Sequence, residues 1–236
     1  MKKLLLLILI PLSVQAKTIK VAVIDTGFDF RGTWKYSKLA KPKLCKDGHY
    51  DFVYNNKNPI DSHGHGTHIA GIIAQTNESV DYCLIILKFY NASRFYSNNL
   101  NNLIKAYGKA IELRVDVINI SGGGTEYSIE ECKIIKKALD AKIKVIAAAG
   151  NEYRELTKQK YYPAMCDDRV IKVLNVDYSG KLTSSSNRDS TRKIPNVVRA
   201  LGENIISFTL YNSLGSLSGT SQATAAVTRD FIHNAK

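Results

Sequence analysis

Three residue types that together could activate a nucleophile recur in this chain in glycine-punctuated settings. Asp25 sits in Val21-Ala22-Val23-Ile24-Asp25-Thr26-Gly27. His65 opens His65-Gly66-Thr67-His68-Ile69-Ala70-Gly71. Ser221 lies in Ser218-Gly219-Thr220-Ser221-Gln222-Ala223. A serine hydroxyl is a poor nucleophile until a base takes its proton. A histidine, with a pKa near neutrality, can take that proton and pass it on to a leaving group. A carboxylate fixes the histidine tautomer and stabilises the imidazolium. The types and their order point to nucleophilic acyl transfer on an α/β scaffold.

Such residues need elements that bring them together. Residues 19–24 form a short, β-branched apolar run before Gly27 and read as a buried strand. Residues 65–75 read as a helix with Ile69, Ile72 and Ile73 on one face. Residues 83–87, 115–120, 143–149 and 170–176 read as further strands. Ser97 is expected to cap a helix that carries Leu100, Leu103, Ile104, Tyr107 and Ile111 at helical spacing. Ser128-x-x-Glu131 reads as a capping box for a helix through residue 141, and a last helix follows Thr220. The polar, serine-rich stretch 179–193 reads as a surface loop. Apolar strands alternating with amphipathic helices predict an α/β three-layer sandwich, with a mostly parallel central sheet flanked by helices. Ligands gather at the carboxyl ends of such strands. Asp25, Ser121 to Gly124 and Gly150-Asn151 all follow strands, while His65 and Ser221 each begin a helix, so convergence on one sheet edge is expected.

Competing readings of the same residues are weaker. Asp61, His63, His65 and His68 invite a metal site, but their spacing is not H-E-x-x-H. Gly122 to Gly124 lack the Lys-Ser/Thr of a phosphate loop, so close approach of a substrate backbone is preferred. His68 reads as packed on its helix, and Asp29, past Gly27, as loop structure.

Lys2 and Lys3, the apolar run 4–12 and Val14-Gln15-Ala16 form a secretory signal pattern over residues 1–16, with cleavage expected after Ala16. The run is shorter than the roughly 20 residues that span a bilayer, so no stable membrane insertion is expected once the signal is removed. Residues 17–236, about 220 in number, suffice for one domain with a sizeable core. The net charge of +12 comes from scattered Lys and Arg. Without an arginine-rich stripe or aromatic-basic interleaving, it reads as a solvated basic surface and not a nucleic-acid interface. Cys45, Cys83, Cys132 and Cys166 form no CxxC pair, which disfavours zinc. In an exported chain they suggest disulfides, with three connectivities allowed. Cys45–Cys83 with Cys132–Cys166, the nearest in sequence, is favoured.

The three motifs resemble those of the subtilisin-like serine proteases, which run D-[ST]-G, H-G-T-H-x-A-G and G-T-S-x-A in this order. The resemblance covers about residues 17–234. It implies a subtilisin-like fold and a catalytic triad of Asp25 as orienting carboxylate, His65 as base and Ser221 as nucleophile. It also implies Asn151, in Ala148-Ala149-Gly150-Asn151, as oxyanion donor, and Ser121, Gly122 and Gly123 as the edge that pairs with substrate backbone. The activity implied is that of a secreted or periplasmic serine endopeptidase, acting on protein or peptide through an acyl-enzyme. Tyr162-Pro163 resembles a family turn that often holds a cis proline. Calcium is common in that family, but no loop here matches well enough to assign ligands, and no cofactor is expected. Gln222 and Ala225 stand where the family usually has Met and Pro, and the glutamine removes an oxidisable thioether. The first core strand begins close to the expected cleavage site, with no evident propeptide, and 15 residues follow Ser221. Those ends leave room for an inhibitor or folding partner in trans. They also keep a second reading open, a catalytically silent peptide-binding module on the same fold.

Overall fold

The computed structural model describes residues 17–76, 79–91 and 98–235. The expected signal peptide 1–16 and the expected cap Ser97 lie outside the described residues. The elements are β1 Ile19–Asp25, β2 Tyr50–Asp51, α1 His65–Ile73, β3 Tyr82–Lys88, α2 Asn99–Glu112, β4 Val117–Ile120, α3 Ile129–Asp140, β5 Lys144–Ala148, β6 Ile171–Val176, β7 Val197–Leu201, β8 Ile205–Phe208, β9 Leu214–Leu217 and α4 Thr220–Asn234.

Seven strands form one sheet in the order β2-β3-β1-β4-β5-β6-β7, and every neighbouring pair is parallel. Alternation along β1 divides the core between the two faces. Val21 and Val23 pack with Ile69 and Ile73 of α1 and Ala223 of α4. Ala22 and Ile24 pack with Leu103 and Ala106 of α2 and Ile135 and Leu139 of α3. A strand buried on both faces has to be apolar at every position, which is why these strands read as continuous runs. The strand order reverses at β1, with β3 on one side and β4 on the other. A crevice opens at their carboxyl ends, where ligands bind in doubly wound sheets.

Three differences from the expected layout concern the C-terminal third. The edge strand β7 is mostly half-buried, so it lacks the apolar signature of a central strand. The antiparallel β8–β9 hairpin is held by polar contacts with α1. The buried His68 ring places Nε2 3.1 Å from the carbonyl oxygens of both Ile205 and Gly215, and Ser207 Oγ donates to the His68 carbonyl at 2.8 Å. The 179–193 stretch contains no strand, but it is not wholly a surface loop, since Ser186, Asn187 and Asp189 are buried. Disulfides join Cys45 to Cys83 and Cys132 to Cys166, each with Cα atoms 4.9 Å apart. Each closes a loop worth roughly 3 to 4 kcal/mol in the chain-entropy account.

Candidate active site

Asp25 is the last residue of β1 and His65 the first of α1. Asp25 Oδ1 accepts the Thr26 N–H at 2.7 Å and lies 2.8 Å from His65 Nδ1. A carboxylate can only accept, so Nδ1 carries the proton and Nε2 keeps its lone pair. Burial pushes the His65 pKa down. The charge and hydrogen bond of Asp25, with a further contribution from Asp61, push it up, and the net shift is upward.

The start of α1 is fixed from outside the helix. Gly64, its cap residue, has no side chain to offer. Asp61 supplies the missing acceptors. Its Oδ1 accepts from the His63 and Gly64 N–H groups, both at 2.9 Å, and from Thr26 Oγ1 at 3.0 Å. Its Oδ2 accepts from Thr67 N at 2.9 Å and Thr67 Oγ1 at 2.7 Å. Thr26 Oγ1 in turn accepts the Gly66 N–H at 2.9 Å. Helix-start donors are thereby satisfied next to the imidazole. A side chain at Gly66 would collide with the Gly27 carbonyl, so only glycine lets β1 and α1 approach this closely. Asp29 accepts from Arg31 and from the Tyr211 N–H. His63 is exposed, with its ring centroid 6.2 Å from that of His65. Among the described residues no group of His, Cys, Asp and Glu is arranged to hold a metal ion.

Ser221 lies in the first turn of α4, beside the end of β4. Its Oγ donates to the Ser121 carbonyl at 2.8 Å, and Ser121 Oγ donates to the Ser221 carbonyl at 3.1 Å. A buried chain supports this pair. Thr228 Oγ1 donates to Asn119 Oδ1 at 2.8 Å, and Asn119 Nδ2 donates to Ser121 Oγ at 3.1 Å. Among the described residues, no hydrogen bond joins Ser221 Oγ to His65. The sequence reading missed Asn119 and Thr228. The available signal was an asparagine inside the otherwise apolar strand Val117-Ile118-Asn119-Ile120.

Asn151 follows β5. Its Oδ1 accepts the Thr220 N–H at 2.9 Å, which orients the amide and leaves Nδ2 as a donor next to Gly219, two residues before Ser221. The turn before it places Gly150 at φ +98°, and its carbonyl groups are clamped by Asn187. The Asn187 N–H donates to the Gly150 carbonyl at 3.0 Å and Nδ2 to the Ala149 carbonyl at 2.7 Å, while Oδ1 accepts from the Glu152 and Arg154 N–H groups. Asn187 is also absent from the sequence reading, hidden in a stretch whose composition looks like loop. Ser121, Gly122 and Gly123 form one wall of the cleft. The backbone of Gly122 and Gly123 makes no hydrogen bond among the described residues, whereas Gly124 pairs with Tyr162. The Tyr162–Pro163 bond that follows is cis.

The arrangement joins a charged carboxylate–imidazole pair, a hydroxyl at a helix start, an oriented amide and an unpaired backbone edge. Comparisons with known proteins place the chain in a family. A family model described as the Subtilase family matches residues 16–231. The major intracellular serine protease of Bacillus subtilis (strain 168) is 33% identical over 222 residues, covering 89% of this chain and 66% of that protein. Subtilisin E of the same organism is 34% identical over 218 residues, covering 89% of this chain and 53% of that protein. The chain thus spans between about half and two thirds of the length of these relatives. Among solved structures, a cold adapted subtilisin-like serine proteinase superposes with a TM-score of 0.72 at 23% identity, covering 89% of this chain and 72% of that one. The prenylagaramide maturation protease PagA superposes with a TM-score of 0.68 at 25% identity and the same coverage. On this evidence the chain belongs to the subtilase family.

Proposed function

We propose that the chain is an exported serine endopeptidase that cleaves peptide bonds through an acyl-enzyme. The observation that carries this reading is the 2.8 Å Asp25–His65 pair, which fixes the imidazole tautomer and leaves Nε2 basic. An extended peptide adds its backbone along Ser121 to Gly123, where the backbone of Gly122 and Gly123 makes no hydrogen bond among the described residues. Ser221 Oγ leaves the Ser121 carbonyl by a rotation about χ1, gives its proton to His65 Nε2 and bonds to the scissile carbonyl carbon. Asn151 Nδ2 donates to the oxygen as it becomes negative. His65 then returns the proton to the leaving amine, and water repeats the sequence on the ester to release the acid. Because Asp25 raises the His65 pKa, the base is neutral only above a pH somewhat higher than an ordinary histidine requires. Export is supported by the leader pattern at residues 1–16 and by the two disulfides.

A silent peptide-binding module is the second reading, favoured by the bond from Ser221 Oγ to the Ser121 carbonyl in place of His65. Casein digestion together with labelling by a serine-directed phosphonate separates the two. The expected result is digestion and a label on Ser221, with both lost in Ser221→Ala while the fold persists by circular dichroism. Digestion retained in Ser221→Ala would sink the assignment of the nucleophile. Folded wild-type protein that neither digests nor takes the label would favour the binding module.

A further inference from the structure

The cleft does not end at the reacting groups. A cavity of about 510 Å³ runs from Asp25 and His65 past the Ser121–Gly124 edge, between apolar walls that include Phe89, Leu100 and Leu103, and reaches Glu131. Glu131 sits in the first turn of α3 and is only 4% exposed. Its N–H is capped by Ser128 Oγ at 3.1 Å, but its carboxylate does not complete the expected capping box by returning to the Ser128 N–H. Among the described residues, the only side-chain hydrogen bond to that carboxylate comes from the Tyr107 hydroxyl, at a long 3.5 Å. A carboxylate has room for about four donors. Asn99 lines the same cavity, and its Oδ1 is buried with no hydrogen-bond partner among the described residues. Two acceptors with almost nothing to accept from thus belong to residues that line one largely apolar chamber, an arrangement that costs stability. The chain carries 33 Lys and Arg against 21 Asp and Glu. Even so, the described residues that line this cavity include Glu126 and Glu131 and no Lys or Arg.

We infer that Glu131 and Asn99 form a pocket for a cationic side chain, lysine or arginine, of the peptide bound in the cleft. The inference rests on the reading of the cleft as a peptide-binding site. Leu100 and Leu103 would cover the methylene stem, while the charged head donates to the Glu131 carboxylate and the Asn99 carbonyl oxygen. Glu131 lines this cavity and Ser221 does not, so the residue that Glu131 selects is displaced along the peptide from the scissile bond. Glu131 is thus a specificity residue that takes no part in the bond-breaking steps.

Binding of labelled peptides to the Ser221→Ala protein tests this without requiring hydrolysis. A single lysine is walked through an alanine peptide, with norleucine at the same position as reference, at pH 8.5. A carboxyl that burial pushes up to about 7 is ionised there, and lysine is still charged. At one position lysine is expected to bind about tenfold or more tighter than norleucine. Adding Glu131→Gln should reduce that ratio to roughly twofold or less, and adding Asn99→Ala should reduce it by about threefold. Peptides that bind with no lysine preference at any position overturn the inference and leave the peptide-binding reading standing. A preference that survives Glu131→Gln also overturns it. Failure of every peptide to bind overturns both. If Glu131→Gln does not fold, the lysine scan and Asn99→Ala still decide the matter.

Discussion

The two ends of the cleft treat buried carboxylates in opposite ways. Around His65, Asp61 accepts five hydrogen bonds from Thr26, His63, Gly64 and Thr67. Burial pushes its pKa up, but those bonds outweigh it and hold the group below the ordinary carboxylate range. At the far end, Glu131 is similarly buried and has one long bond, from Tyr107. There burial dominates, Tyr107 offsets it only in part, and the pKa rises to about 7. Burial alone therefore does not set the charge of a carboxylate; the supply of donors does. Where the fold supplies donors, the group is scaffold. Where it withholds them, the group is free to meet a ligand.

The strongest way to sharpen this contrast is to remove a charge at the His65 end. Asp25→Asn should lower kcat/KM by about 10⁴ through loss of the correct tautomer and of imidazolium stabilisation. The pH–rate profile should also change. With Asp25 present, activity falls as the pH drops through a His65 pKa above 6.5. Without it, burial dominates and the acid limb moves to lower pH. An acid limb that stays in place would show that Asp25 does not set the charge of His65. Asp61→Ala comes next. It leaves the Gly64, His63 and Thr67 donors buried at the helix start and should cost roughly 3 to 5 kcal/mol in urea unfolding. A loss below about 1 kcal/mol would remove the distinction between the two ends.

How much of this was legible in the sequence follows from the same contrast. The strands β1, β3, β4, β5 and β6 are buried on both faces, so their apolar runs announced them within a residue or two. The strands β7, β8 and β9 are partly exposed, and β8–β9 is anchored through His68 and Ser207, so no apolar run marked them. The segments around Asp25, His65, Ser221 and Asn151 were visible because each couples a reactive type to glycines that permit close approach. Their supports were not visible. Thr228 and Asn187 act through partners at least 33 residues away in sequence, and nothing local to them reports that, while Asn119 shows only as a polar residue inside an apolar strand. The Ser128-x-x-Glu131 pattern was read correctly as a helix start and incorrectly as a complete capping box. Whether the Glu131 carboxylate turns back to its own helix or out into the cleft depends on α2 and Tyr107, which local spacing does not encode.

The same local geometry orders the remaining predictions. Glu131→Gln should stabilise the free protein at pH 8 by up to about 3 kcal/mol, the order of the shift from 4.5 to about 7. The fold binds the proton of Glu131 more tightly than the unfolded chain does. The penalty is therefore absent below about pH 4.5, grows as the pH rises to about 7 and is constant above it. The gain in Glu131→Gln should vanish in acid, which urea melts at pH 4 and pH 8 can check; an equal gain at both would mean that charge is not the cause. Ser128→Ala should have the smallest effect, about 1 kcal/mol from loss of the bond to the Glu131 N–H. Ser128 touches Glu131 through the backbone, whereas the Glu131 carboxylate points to Tyr107. A double-mutant cycle between Ser128→Ala and Glu131→Gln should then show a coupling below about 0.5 kcal/mol. A larger coupling would return the carboxylate to the Ser128 N–H, complete the capping box and take the charge out of the cleft.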